Sequence, residues 1–331
     1  MFSFILVLFA GCKKNLTQTM SIRAFGTICS VTIYGNDDKN IFSKIFDRLL
    51  ELDNMFNVNL DDSDLQKVNL ASGKNPVFVH DEVAAVLQAA LFYAQKSDGA
   101  FDPTIGPLVK LWGINTEGAR VPDKEEIDKA LSLVDYTKVE ISGPAQGKKV
   151  FLKDEGMSLD LGGIAKGFAT DEIMKIVKSE NVRACVIDFG GNIYVYGQKP
   201  NKEAWKIGIK NPFYENGYPA LTLSLSDSTA VITSGIYERN FSENGILYHH
   251  ILDPKTGYPC DNPYGSTTIV CENAMQADAL STIAFLLGPD FYYQIFDSPA
   301  IFIGKNAGVM VSRALKNSMT VYSNFFLLKI Y

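Results

Sequence analysis

Apolar residues along this chain change period repeatedly, and the changes mark the elements. Over residues 21–34 (SIRAFGTICSVTIY) apolar and polar positions alternate among β-branched residues, which predicts a strand. In residues 41–56 the period lengthens: Ile41, Ile45, Leu49, Leu52 and Phe56 share one helical face. Residues 83–94 predict a second helix that stops at Ser97-Asp98-Gly99, and residues 124–134 a third. Residues 139–141 and 149–152 read as a hairpin around Ser142-Gly143-Pro144. A short strand is expected over 157–161, then a helix over 164–177. Three or four strands should follow between 184 and 232, broken by Gly190-Gly191-Asn192 and Asn211-Pro212. Residues 266–271 predict a strand, 274–287 a strongly apolar helix, and 300–303 and 309–311 the closing strands. Helices and strands mix without strict alternation, so the expected class is α+β, with mixed, largely antiparallel sheets and flanking helices. No repeat, low-complexity tract or linker interrupts the pattern.

At 331 residues and 47% hydrophobic, the chain can bury a core of one large domain or two packed lobes. A net charge of −6 and no basic run interleaved with aromatics argue against nucleic-acid binding. The N-terminus changes the picture more. The apolar stretch 2–10 ends in Ala10-Gly11-Cys12 and is followed by Lys13-Lys14. It is far short of the roughly 20 apolar residues that span a bilayer. It resembles a bacterial lipoprotein signal over residues 1–12, with Cys12 lipidated. A buried first strand is the alternative. Cys29, Cys185, Cys260 and Cys271 form no C-x-x-C pair and read as small apolar core residues.

Candidate chemistry gathers in four stretches. Residues 160–168, DLGGIAKGF, sit where a strand is expected to become a helix, a place that favours an anion. The pattern is neither a P-loop nor a dinucleotide fingerprint, and a tight packing turn is the alternative. A helix N-terminus supplies at most about 2 kcal/mol, whereas enzymatic accelerations correspond to roughly 8–23 kcal/mol. Phosphoryl chemistry here would therefore need a hard cation. Asp278 and Thr282, at i and i+4 on the helix 274–287, offer a carboxylate and a hydroxyl of the kind Mg²⁺ takes. Alternatively Thr282 bonds back along its own helix and Asp278 faces water. His249 and His250 precede the turn Asp253-Pro254-Lys255-Thr256-Gly257. With His80 distant, zinc has no support, and His250 is either an acid–base or phosphate-contacting group or a surface histidine. Residues 233–239 (TSGIYER) add hydroxyls and Arg239 as further ligand contacts. Residues 98–113, rich in glycine and proline and flanked by aromatics, form either a wall for a planar ring or a packed connection.

In this order, FDPTIGPLVKLWG, DLGGIAKGFATD, DFGGNIYVYG, TSGIYER, HHILDPKTGYP and ADALST resemble the ApbE-type flavin transferases over residues 21–313. The resemblance implies the ApbE-like fold as a single domain over residues 21–331, in two packed lobes. It implies Mg²⁺-dependent transfer of FMN from FAD to a threonine of an acceptor redox membrane protein, releasing AMP. It further implies a periplasmic protein held by its lipid at a bacterial membrane, the inner one. By position, Mg²⁺ would be held by Asp278, Thr282 and the main-chain oxygen of Gly163. FAD would meet Phe25, Ala100, Phe101, Asp102, Asp160, Lys166 and Ile251, and Asp278 or His250 would take the proton. One position departs: Asn59 stands where relatives usually carry Tyr, which implies looser FAD binding and easier entry of water. Two rival readings follow, an FAD pyrophosphatase without a protein acceptor and a flavin-binding lipoprotein that catalyses nothing. The resemblance implies acceptor sites of the form Asp/Ser-Gly/Ala-x-Thr-Ser/Thr; Gly265-Ser266-Thr267-Thr268 comes close, but Tyr264 precedes it and the stretch reads as a strand, so self-modification is not expected.

Overall fold

The first expected strand is in fact two. Thr17–Ala24 (β1) and Thr27–Tyr34 (β2) pair antiparallel across a turn at Phe25 and Gly26. Both turn residues have positive φ, 50° and 69°, the backbone of hairpin turns that match strand twist. A phenylalanine in such a position gives no warning of a turn. The structure, a computed structural model, describes residues 17–36, 38–213, 218–226, 228–322 and 326–331. The candidate lipoprotein signal and Cys12 lie outside the described residues.

Lys39–Phe56 (α1) starts at Asp38, whose side chain accepts from the Asn40 N–H, and it buries the whole stripe from Ile41 to Phe56. Asp64–Leu70 (α2), Val77–Phe78 (β3), Asp81–Lys96 (α3), Gly106–Trp112 (α4) and Lys124–Leu131 (α5) follow. The helices α2 and α4 were not expected. Each has 7 residues, too few to display a period, and Pro107 at the start of α4 fits the first helical turn. Val139–Ser142 (β4) and Lys149–Leu152 (β5) form the expected hairpin, with β3 on the other side of β5. The strand expected over 157–161 is extended chain with a single bridge, Ser158 to Ile105. Its neighbour is a loop, which offers no ladder to join.

Ala165–Ser179 (α6) leads into Ala184–Phe189 (β6), Asn192–Gly197 (β7), Trp205–Lys210 (β8), Pro219–Leu225 (β9) and Thr229–Gly235 (β10). Asn240–Glu243 (β11) and Ile246–His249 (β12) make a separate hairpin, followed by Tyr264–Cys271 (β13) and Ala274–Ile295 (α7). The last helix outruns its expected end across a break at Gly288, φ 71°. Ala300–Gly304 (β14), Gly308–Val311 (β15), Met319–Val321 (β16) and Phe326–Ile330 (β17) close the chain.

Nine strands form one sheet, β1-β2-β6-β7-β10-β13-β14-β15-β17, antiparallel except between β15 and β17. One face packs on α1, α3, α6 and α7 through Leu49, Val86, Ile173, Leu280 and Phe302. The other face packs on the sheet β16-β9-β8 through Val195, Ile207, Leu221, Val231 and Ile301. The α+β class, with largely antiparallel sheets and flanking helices, is therefore what the chain adopts. Burial of Cys29 and Cys185 in these layers agrees with their reading as core residues.

Candidate active site

The helices α6 and α7 cross with almost no space between them. A Cβ at Gly167 would press on the Ala274 carbonyl and lie 2.7 Å from the Asp278 Cβ. This contact lets each helix start borrow a carboxylate from the other. Asp171 of α6 accepts from the Ala274 and Met275 N–H groups at 3.0 and 2.9 Å. Asp278 of α7 accepts from the Gly167 N–H at 2.9 Å. Its other oxygen accepts from the Asn192 amide, also at 2.9 Å. Asp278 is only 4% exposed, so it does not simply face water.

This corner forms one end of a cavity of ≈ 330 Å³. Ala100, Phe101, Asp102, Asp160, Gly163, Lys166, His250, Ile251, Asp278 and Thr282 all line it, although they come from segments far apart in the chain. Two expected contacts are not in that wall. Phe25 stands beside it, its neighbours Gly26 and Thr27 lining the cavity, while the Phe25 N–H donates to Asp53 at 3.0 Å. Burial raises the Asp53 carboxyl above its ordinary range. Asn59 lies on the exposed turn after α1, where its N–H donates to Asn57 Oδ1 at 3.0 Å.

The loop 98–106 and the stretch 158–163 hold each other. Asp160 N–H donates to the Pro103 carbonyl at 2.9 Å and Gly106 N–H to the Ser158 carbonyl at 3.2 Å. Asp102 accepts from the Thr104 N–H and hydroxyl and from the Tyr136 N–H, at 2.7, 2.6 and 3.1 Å. Burial raises its pKa, and those donors hold it down only in part. Asp102 thus fixes the shape of the wall on which Ala100 and Phe101 sit. Asp160 accepts from the Gly162 N–H at 2.8 Å, so this carboxylate is engaged within its own loop. Space at Gly163 is tight: a Cβ there would lie 3.1 Å from Phe101 and 3.4 Å from the Thr282 hydroxyl.

The donor set suits a hard cation. The Thr282 hydroxyl lies 3.3 Å from the Ser234 hydroxyl and beside Gly163, with the Asp278 carboxylate one helical turn away. Lys166 Nζ already sits among these oxygens, 3.1 Å from the Gly162 carbonyl and 3.7 Å from Asp278 Oδ1. A positive charge is therefore accommodated at this corner. Among the described residues no three His, Cys, Asp or Glu side chains gather as a metal cluster. A site here rests on one carboxylate and neutral oxygens, as Mg²⁺ accepts when phosphates and waters complete its shell.

The two neighbouring histidines divide their roles. His249 is buried, its Nε2–H donating to the Cys260 carbonyl at 3.1 Å and its ring edge-on to Phe285. Burial pushes its pKa down to about 4. His250 faces the cavity, with Nδ1 3.2 Å from the Arg239 carbonyl. A carbonyl only accepts, so Nδ1 carries the proton and Nε2 keeps its lone pair. Burial first, then the Arg239 charge, lower its pKa to about 3. Arg239 also lines the cavity, and among the described residues it has no carboxylate partner.

Asn192, Ser234 and Arg239 also line the cavity, and Asp171 supports it by holding the start of α7. Arg239 and Ser234 fell within a stretch read as ligand-contacting. Asn192 and Asp171 gave only weak signals, a lone amide opening an apolar strand and an acid within a helix. The turn 253–257 is fastened to α4 by the Trp112 indole N–H, 2.8 Å from the Gly257 carbonyl, and this sets the position of His250 and Ile251. Ser266, Thr267 and Thr268 are buried in β13, in line with their reading as strand residues.

The model of the ApbE family matches residues 25–301. A curated FAD:protein FMN transferase of Treponema pallidum is 37% identical over 80% of this chain and 76% of its own. Another, of Klebsiella pneumoniae, is 34% identical over 91% of this chain and 93% of its own. Among solved structures, the ApbE protein of Thermotoga maritima matches with a TM-score of 0.83 at 32% identity, covering 92% of this chain and 99% of that one. The flavin transferase ApbE of Vibrio cholerae matches with a TM-score of 0.79 at 25% identity, covering 94% and 98%. With a family match over most of its length and the same fold, this chain belongs to the ApbE family.

Proposed function

We propose that this chain transfers FMN from FAD to a threonine of an acceptor protein and releases AMP. The observation that carries the reading is the meeting of Lys166, Arg239 and the His250 lone pair with the Asp278–Thr282 oxygens in one cavity. The relatives' names point the same way. Lys166 and Arg239 both line the cavity and supply two positive charges for the pyrophosphate. Phe101 and Ile251 offer apolar surface to the rings. Mg²⁺, held by Asp278, Thr282 and the Gly163 carbonyl, would neutralise the pyrophosphate and stabilise charge on the phosphorus under attack.

The acceptor hydroxyl oxygen forms a bond to the phosphorus of the FMN half, the bond from that phosphorus to the AMP oxygen breaks, and AMP departs. The hydroxyl proton goes to His250 Nε2. Asp278 already accepts one hydrogen bond on each oxygen, which suits a ligand better than a base. Pyrophosphate beside Arg239 offsets the charge that depresses His250, so its basicity rises when substrate binds. Water replacing the threonine gives FMN and AMP. The stretch 1–12 supports a lipid anchor at Cys12 and a periplasmic location.

The test uses purified protein lacking residues 1–12, with FAD and Mg²⁺, with and without an acceptor domain carrying the threonine site. AMP release and the acceptor's intact mass are followed together. AMP with an FMN-sized gain in mass is the expected result. AMP without labelling would leave a pyrophosphatase, and bound FAD without AMP a carrier.

A further inference from the structure

A transferase that acts on a protein must admit a polypeptide, and one strand edge is built for that. Within the sheet β16-β9-β8, strand β8 pairs with β9 and, among the described residues, with no other strand. Its outer edge presents backbone N–H and C=O groups that another strand can pair with. Trp205, Ile207 and Ile209 point inward, while Lys206, Gly208 and Lys210 are exposed. Residues 207–210, four in succession, line one wall of a groove of ≈ 100 Å³. Gly191, Ile193, Val231, Thr233, Tyr237 and Glu238 stand opposite, so the groove opens where the β8 edge faces β7 and β10.

The groove leads to the reacting corner. Thr233 and Glu238 line both the groove and the active cavity. Thr233 precedes Ser234, whose hydroxyl is 3.3 Å from that of Thr282. Gly191 precedes Asn192, whose amide holds Asp278 at 2.9 Å. A chain lying in the groove therefore enters beside Thr233 and Glu238, next to the Asp278–Thr282 end. Its charge is also distinctive. On a chain of net charge −6, Lys206 and Lys210 are exposed on this strand; among the described residues neither is within ion-pair distance of a carboxylate, although Glu238 feels the charge of Lys210. Lys210 Nζ lies 4.4 Å from the Tyr237 ring centroid, which keeps its charge beside the groove. Glu238, at the inner end, disfavours an acid there.

We propose that β8 is the docking edge for the acceptor. An extended segment of the acceptor protein adds to β8 as a further strand, places acidic residues beside Lys206 and Lys210, and passes its threonine inward by Thr233 and Glu238. This assignment rests on the transfer reading above.

The test measures FMN transfer to a synthetic peptide with one threonine in an Asp-Gly-x-Thr-Ser run, comparing the unsubstituted protein with Lys206→Glu/Lys210→Glu. The KM for peptide should rise about tenfold with kcat retained, and the effect should shrink as salt is added. In the unsubstituted protein, amide hydrogen exchange over 205–210 should slow when peptide is added with FAD and Mg²⁺. An unmoved KM, a loss confined to kcat, or no protection of β8 would overturn the docking edge. AMP release with no peptide labelling by the unsubstituted protein would instead remove the transfer reading, and the docking with it.

Discussion

Each oxygen of Asp278 already has a donor, the Gly167 N–H on one and the Asn192 amide on the other, so a change there has two consequences. Asp278→Asn keeps the volume but turns one acceptor into a donor that faces a donor. An unmatched buried pair of this kind costs about 1–3 kcal/mol, and the charge that would hold a cation is gone. Initial rates of AMP release should fall at least about a hundredfold, for a metal contributes several kcal/mol to such a transition state. Urea unfolding should show the smaller loss alongside. A full rate from the variant would end the assignment of Asp278 as a ligand. The pairing of Asp278 with Thr282 was readable because i and i+4 fix a common helix face. Asn192 was not, since an amide at the start of an apolar strand looks the same whether it faces water or a carboxylate 86 residues away. Position alone placed Phe25 and Asn59 at the flavin. The structure puts Phe25 at a hairpin turn beside the cavity and Asn59 on an exposed turn outside its wall.

Gly167 shows how an element's propensity yields to its neighbour. In a helix interior, alanine in place of glycine gains up to about 1 kcal/mol. Here the added methyl meets the Ala274 carbonyl and the Asp278 Cβ, and overpacking of this kind costs about 1–3 kcal/mol. Gly167→Ala should therefore be net destabilising by about 1–2 kcal/mol in urea titrations, and it should slow AMP release as α6 moves off α7. Gly118→Ala, where the nearest contact is 3.6 Å, serves as the comparison and should do neither. Long helices such as α1 and α3 were legible because their stripes run for several turns. The hairpin β1–β2 was read as one strand because its turn uses Phe25, and α2 and α4 were missed because seven residues carry no period. The crossing of α6 on α7 had no signal beyond a glycine in a helix, because packing between distant segments leaves no local pattern.

For the molecule as a whole, the buried histidines set the response to acid. His249 and His250 have folded pKa values of about 4 and about 3, both lowered chiefly by burial. Between those values and the ordinary 6.5 the unfolded chain binds more protons than the folded one. Stability therefore falls as pH falls through that window. Near pH 5.5, unfolding should take up about two protons on this account, read from the pH dependence of the urea midpoint without FAD. A midpoint that stays level from pH 7 to pH 5 would show that these rings titrate in the folded state. Asp102 and Asp171, raised by burial, act in the opposite sense, adding stability below about pH 4. The exchange of carboxylates between α6 and α7 bears, finally, on how this chain can drift over generations. A lineage that ceased to act on flavin would still be held to Asp171 and Asp278, because two central helices begin on them. Retention of Asp278 in a distant descendant would thus testify to the scaffold, and retention of Thr282 and Lys166 to the trade.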